Sequence, residues 1–310
     1  MNIPLLTYIV KITMLIVVIT FSIDNFIYHS FNVISDKVLS GSDIGKLNHY
    51  LKIRNDLDLI IYGNSRAKNH VDPQKLADKS FNIGVAARKI AYSATLIKVL
   101  PLKKEQTVLL HIDIETAFDV HYDGADIKAL TSKYNRNKII HDEIIYLSQN
   151  NKLQNIFKSL SYNGSILRIL KNYLSPRYNY KNYHGYDPIK VNEDQRKRFQ
   201  LILNREAVEN KCQKNFTLNP IYEHYLDEIQ EFCNQNNKSL ILFTSPMFED
   251  FCKEDNLRFS EILEERNLNY YDMTDLFKEN NKIEYWKDRI HLSTKGAKLF
   301  TAEMKKLLSS

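Results

Sequence analysis

Glycine and proline are scarce in this sequence, eight and seven among 310 residues. So few chain-breakers exclude long low-complexity linkers. Cysteine is scarcer still, at three: Cys212, Cys233 and Cys252. No two have C-x-x-C spacing, which argues against a zinc knuckle. An odd count leaves at least one thiol unpaired, and we expect small buried apolar residues rather than a disulfide framework. Long charge runs are absent too. The net charge is +6, yet no basic run is longer than the three residues Arg196-Lys197-Arg198, and the others, such as Lys103-Lys104 and Lys305-Lys306, are pairs. Dispersed charge of this kind does not make a nucleic-acid footprint. It suits a mildly basic surface facing an anionic envelope polymer or lipid. Asparagine is abundant but scattered, so it forms no prion-like tract, and no internal repeat is present. What remains, 44% apolar and 26% charged residues, is the composition of a folded protein.

One apolar run stands out, residues 3–23, interrupted only by Lys11. A helix needs about 20 apolar residues to cross a bilayer. A lysine at the bilayer centre costs roughly 2.5–3.5 kcal/mol. Lys11 is off-centre and can snorkel towards the N-terminal side, or the span can begin after it, at Ile12, and run to about Tyr28. No small-x-small cleavage site follows, so residues 1–30 read as an uncleaved signal anchor. A buried core helix is the plainer alternative. Lys11 on the N-terminal flank favours an inside N-terminus and a single-pass protein whose body is exported to the periplasmic or extracellular side.

Residues 31–55 read as a connector, broken at Ser40-Gly41-Ser42-Asp43. The globular body starts at about residue 56. Strands are expected at 57–62, 80–85, 107–112 and 239–244, with a short fifth at 269–271. Helices are expected at 73–78, 86–100, 221–233 and 294–308. Strands that are apolar throughout and alternate with helices imply an α/β protein whose parallel sheet is covered on both faces. Residues 121–218 are Tyr-, Asn- and Lys-rich, helical in pattern, and hold no convincing strand. They read as an insertion after the third strand, a lid or substrate-facing subdomain.

In a parallel α/β sheet, functional groups gather at the carboxyl ends of the strands. Three ends carry such residues: Gly63-Asn64-Ser65, Asn82-Ile83-Gly84 and His111-Ile112-Asp113. A serine on that turn is a nucleophile only if a base reaches it. The candidate base is His291, just before the closing helix, with Asp288 three residues earlier. That spacing can set a carboxylate against one imidazole nitrogen and leave the other for Ser65. The plainer readings are a turn serine and a helix-initiating segment capped by Ser293. Arg66 and Ser245 are candidates for substrate binding, although Arg66 equally suits an ion pair that pins the turn. Gly84 reads also as a turn glycine, and His70 as a surface residue. Asp113, Glu115, Asp119 and His121 alternate in no known ligand loop, so they read as a solvated face or a substrate-binding edge, and no metal is expected.

These motifs resemble a family. Gly63-Asn64-Ser65, Asn82-Ile83-Gly84 and the C-terminal Asp288-x-x-His291-Leu292 followed by Gly296 are similar to blocks of the SGNH (GDSL-type) hydrolase superfamily. The fuller string from Tyr62 to Ala67, then Pro73 and Phe81 to Gly84, resembles its membrane-anchored envelope branch. That branch includes proteins similar to alginate O-acetylation factors and to the lipoteichoic-acid D-alanylation protein. The resemblance covers roughly residues 56–115 and 238–308. It implies a flavodoxin-like three-layer sheet, with Ser65 as nucleophile, His291 as base and Asp288 as its orienting acid. It implies an oxyanion hole from the backbone N–H groups of Ser65 and Gly84. The family's third block supplies an Asn, where this chain has His111-Ile112-Asp113. Asn82 is the candidate to replace it.

The leading expectation is therefore a membrane-tethered serine esterase or O-acyltransferase. Its substrate would be the acyl groups, acetyl first among them, of a cell-envelope glycan, and it would need no cofactor. A membrane acyl-transfer protein is a candidate partner. Two other readings stand beside it. One is a non-catalytic glycan- or partner-binding protein on the same fold. The other is a lipid-directed esterase or thioesterase, which requires an apolar channel.

Overall fold

The structure is a computed structural model and describes residues 3–41, 43–205, 212–213 and 215–309. In chain order, α1 (Ile3–Asp36) and α2 (Asp43–Ile53) precede β1 (Leu59–Tyr62) and α3 (Ser65–His70). Next come β2 (Ser80–Asn82), α4 (Ile90–Lys98), β3 (Gln106–His111) and α5 (Ile114–Ala117). The helices α6 (Lys138–Tyr146), α7 (Lys152–Ile156), α8 (Ile166–Leu174), α9 (Glu193–Arg205) and α10 (Pro220–Gln235) follow. The chain closes with β4 (Lys238–Thr244), α11 (Lys253–Glu265), β5 (Tyr270–Asp272) and α12 (Thr294–Ser309).

The five strands form one sheet in the order β2-β1-β3-β4-β5, and every neighbouring pair is parallel. Register is set by burial on both faces, because strand side chains alternate with period two. Leu59, Ile61, Leu109 and Phe243 point to one face and pack with Ala297, Phe300 and Met304 of α12. Tyr62 points to the other. Its hydroxyl lies 2.9 Å from that of Tyr50, which donates to the Leu96 carbonyl of α4 at 2.7 Å. Both faces are therefore closed, as continuous apolar strands require.

The chain divides into two compact units, Met1–His49 with Lys128–Asn179, and Tyr50–Ile127 with Tyr180–Ser310. The first is all-helical among its described residues, and α1 supplies Tyr28, Phe31 and Ile34 to a small core with Tyr162, Ile166 and Ile169. α1 runs on through residues 31–36, where the sequence reads as connector. The second unit holds the whole sheet. Residues 121–218 thus fall into both. The Asn82 N–H donates to the His184 carbonyl at 2.9 Å, and the Thr294 N–H to that of Ile189 at 2.8 Å.

The cysteines differ from expectation. Cys212 and Cys252 form a disulfide, and only Cys233 is a buried free thiol. Forty residues separate the bonded pair, so no local spacing announces it. Burial pushes the Cys233 thiol up to about 12.

Candidate active site

The site starts where β1 ends. Gly63 has φ +133°, a backbone state open to glycine alone. A Cβ there would lie 2.7 Å from the His111 Cβ. This tight turn delivers Asn64 as the N-cap of α3, with its Oδ1 accepting the Arg66 N–H at 2.8 Å. Ser65 is then the first helical residue.

The structure brings together the three residues expected to carry chemistry. Ser65 Oγ lies 2.9 Å from His291 Nε2. His291 Nδ1 lies 3.0 Å from each Asp288 carboxylate oxygen. Asp288 also accepts the backbone N–H groups of Ile290 at 3.0 Å and His291 at 2.8 Å, so one carboxylate both shapes the loop and orients the ring. Burial works to raise the Asp288 carboxyl, but hydrogen bonds from His291 and Lys287 outweigh it and hold the carboxyl far below the usual carboxylate range. With Asp288 ionised, the Nδ1 proton stays on the Asp288 side, and Nε2 is free to accept from Ser65. Beyond this loop, Ser293 Oγ accepts the Lys295 N–H at 3.2 Å and opens α12.

The expected oxyanion donors are differently placed. Asn82 is fully buried. Its amide donates to the Ala67 and Val71 carbonyls at 2.8 and 2.9 Å, and its Oδ1 accepts the Gly84 N–H at 2.9 Å. Both groups are engaged inside the protein, tying β2 to α3. Gly84 is also needed sterically, since a Cβ would lie 2.9 Å from the Lys68 backbone nitrogen. The Ser65 N–H is in the first turn of α3, where no intrahelical carbonyl is available to it.

Arg66 and Ser245 join in a knot: Ser245 is shut away from the cavity at Ser65, whereas Arg66 also lines it. Ser245 is fully buried. Arg66 Nε donates to Ser245 Oγ at 2.9 Å, and Nη2 donates to the Ser245 carbonyl. His70 joins them, and it is buried, not a surface residue. Its Nε2 accepts the Leu292 N–H at 2.9 Å, which puts its proton on Nδ1, 3.0 Å from Ser245 Oγ. The hydroxyl is left to donate to His111 Nε2, 3.2 Å away. Burial, with Arg66 next in importance, keeps both imidazoles far below the usual histidine range and so neutral. The knot links α3, β3 and the end of β4, and through Leu292 it holds the His291 loop. One sequence signal points to it. Arg66 and His70 stand four apart and so share one helix face.

A cavity of about 370 Å³ opens at Ser65. Asn64, Asp113, Glu115, Met247, Phe251 and Arg289 are among its lining residues. Five carboxylates, those of Asp113, Glu115, Glu249, Asp250 and Asp255, face two guanidinium groups, those of Arg66 and Arg289. Arg289 is paired with Glu249 at 2.7 Å, and Arg66 is committed to the knot. Asp119 and His121 make a local turn, where the Asp119 carboxylate accepts the His121 N–H at 2.9 Å. No cluster of three His, Cys, Asp or Glu side chains suited to a metal occurs among the described residues.

No protein-family model matches this chain, and no curated protein sequence matches it.

Proposed function

We propose that this protein is a membrane-tethered serine esterase or O-acyltransferase of the SGNH type, acting on acyl groups of a cell-envelope glycan. The observation that carries this reading is the hydrogen-bonded series Ser65–His291–Asp288, at 2.9 and 3.0 Å, with Ser65 on a cavity. The sheet order 2-1-3-4-5 is that of flavodoxin-like sheets, whose sites lie at the strands' carboxyl ends. It supports the fold implied by the resemblance.

In this reading His291 takes the Ser65 proton as Oγ attacks the ester carbonyl, and the alkoxide then leaves with that proton. The acyl-Ser65 ester is resolved by water in an esterase or by a sugar hydroxyl in a transferase. The oxyanion is met by the Ser65 N–H and by the Asn64 side-chain amide. With Asn64 Oδ1 held by Arg66 N–H, its NH2 group is the end left for the cavity, and it supplies the donor missing from the third block.

The carboxylate-rich wall, with both guanidinium groups engaged, favours an uncharged sugar ester over an anionic lipid. The same cavity has an apolar side, with Ile112, Ile114, Met247, Phe251 and Ile290, which would receive the acyl group. The disulfide supports an exported body, because such bonds persist in oxidising compartments. α1, apolar and long enough to cross a membrane, would hold the enzyme where envelope polymers are assembled.

The test is labelling of the full-length protein in detergent with a serine-reactive phosphonate. Labelling should be lost in both Ser65→Ala and His291→Ala. A folded wild-type protein that takes no label would count against catalysis and leave a binding protein on the same fold.

A further inference from the structure

The exposed apolar stretch of α1 has a defined end. Residues 4–23 are all exposed and Asp24 is buried. Twenty helical residues rise about 30 Å, the thickness of a bilayer's hydrocarbon core. At that end a short segment of the same unit is fastened to the helix. Phe157 stacks on Phe21 with ring centroids 5.6 Å apart. Asp24 accepts the backbone N–H groups of Lys158 and Ser159 at 2.9 and 3.1 Å, and the Ser159 hydroxyl at 2.5 Å. The acid at the border is thus satisfied by protein and carries no cost of burial in lipid. Directly before Phe157, α7 leaves Leu153 and Ile156 56% and 50% exposed. They are three apart and so share a face. Lys152 and Lys158, at either end of the segment, are exposed as well.

We propose that residues 152–159 form a shelf seated on the membrane surface, with Leu153 and Ile156 inserted at the acyl–headgroup boundary of the bilayer that α1 crosses. Lys152 and Lys158 would meet the lipid phosphates. The choice of a lipid surface rests on continuity. The shelf is bolted to α1 on the turn where the lipid-facing stretch ends, so its apolar face needs no separate partner. The inference depends on the reading of α1 as a membrane span. It gives part of residues 121–218 a task other than that of a lid: fixing the depth and tilt of the first unit on the membrane.

The experiment uses the full-length protein in phosphatidylcholine–phosphatidylglycerol vesicles, with ordinary or brominated acyl chains. The only native tryptophan, Trp286, is fully buried and gives the baseline. Val17→Trp reports on the span, Ile156→Trp on the shelf, and Asn155→Trp on the opposite side of α7. Brominated lipid should quench the added emission of Val17→Trp and Ile156→Trp about twofold or more, and that of Asn155→Trp far less. Quenching at Val17 without quenching at Ile156 overturns the shelf and leaves the span standing. Equal quenching at Asn155 and Ile156 overturns it also, since the added ring would then be its own anchor. Quenching at neither Val17 nor Ile156 overturns the span and the shelf together.

Discussion

At the scale of single residues, Asn64 is the sharpest test of the proposed chemistry. Asn64→Asp keeps the oxygen that caps α3 and removes the NH2 group. We expect the folded state to persist while kcat falls about 100-fold, the size seen when one oxyanion donor is lost. An unchanged kcat would remove Asn64 from the mechanism. The knot around Ser245 makes a different prediction. His70 and His111 are neutral when folded, whereas in the unfolded chain they take up protons below about pH 6.5. Acidification therefore favours unfolding, by up to about 1.4 kcal/mol per pH unit for each histidine. Arg66, His291 and Asp288 surround His70, and Arg66 faces His111. His70→Gln should lower stability near neutral pH and flatten the fall between pH 6.5 and 5, which thermal unfolding across that range would reveal. Ser65, Asp288 and His291 are legible in the sequence as candidates because each sits in a short local pattern. Ser245 and His111 are legible only as strand-end residues and His70 only as a surface one; that the three meet is not legible, because α3, β3 and the end of β4 bring them together only in the folded sheet.

At the scale of elements, the join between β1, β2 and α3 is the critical one. Asn82 makes three buried hydrogen bonds there, and Ala at this position leaves two carbonyls and one N–H without it. Asn82→Ala should cost about 3 kcal/mol of stability. Gly63→Ala puts a side chain at φ +133° against His111 and should cost about as much. Chemical denaturation of both variants checks this, and a loss below about 0.5 kcal/mol for either would show that the join relaxes freely. The strands of this region are readable from their apolar runs, and the turn from Gly-Asn-Ser. The sequence reading also extends the second strand to residue 85, whereas the ladder ends at Asn82. Past it the Ile83 and Val85 N–H groups still donate to the Ile61 and Gly63 carbonyls at 2.8 and 2.9 Å, while on the outer edge the Asn82 side chain takes the Gly84 N–H in place of a neighbouring strand. Hydrophobic pattern does not record that substitution.

At the scale of the whole molecule, the first helix has two jobs, and only one is visible in hydropathy. Its first twenty or so residues are bare and apolar, which any hydropathy reading finds. Its last third is amphipathic and built into a core. Tyr28 is buried with Tyr162 and Ile169, Asn32 accepts from the Tyr162 hydroxyl at 2.5 Å, and Asp36 pairs with Lys133 and Arg136 at 2.9 and 2.7 Å. These partners lie about 100 residues or more away in the chain, so the sequence pattern presents residues 31–55 as a mere connector. The consequence is practical. A soluble form that begins at residue 31, where a membrane anchor would ordinarily be cut, removes Asp24 and Tyr28 and leaves Tyr162, Ile169 and the 158–159 backbone without their covers. A form that begins at residue 20 keeps Phe21 and everything that binds to it. Limited proteolysis should cut residues 128–179 rapidly in the shorter form and slowly in the longer one, while the sheet-bearing unit resists in both. Equal resistance in the two forms would mean that residues 128–179 hold together without α1. If the expected difference is found, only the longer form carries an intact first unit, while Ser65, Asp288 and His291 lie in the sheet-bearing unit of both forms.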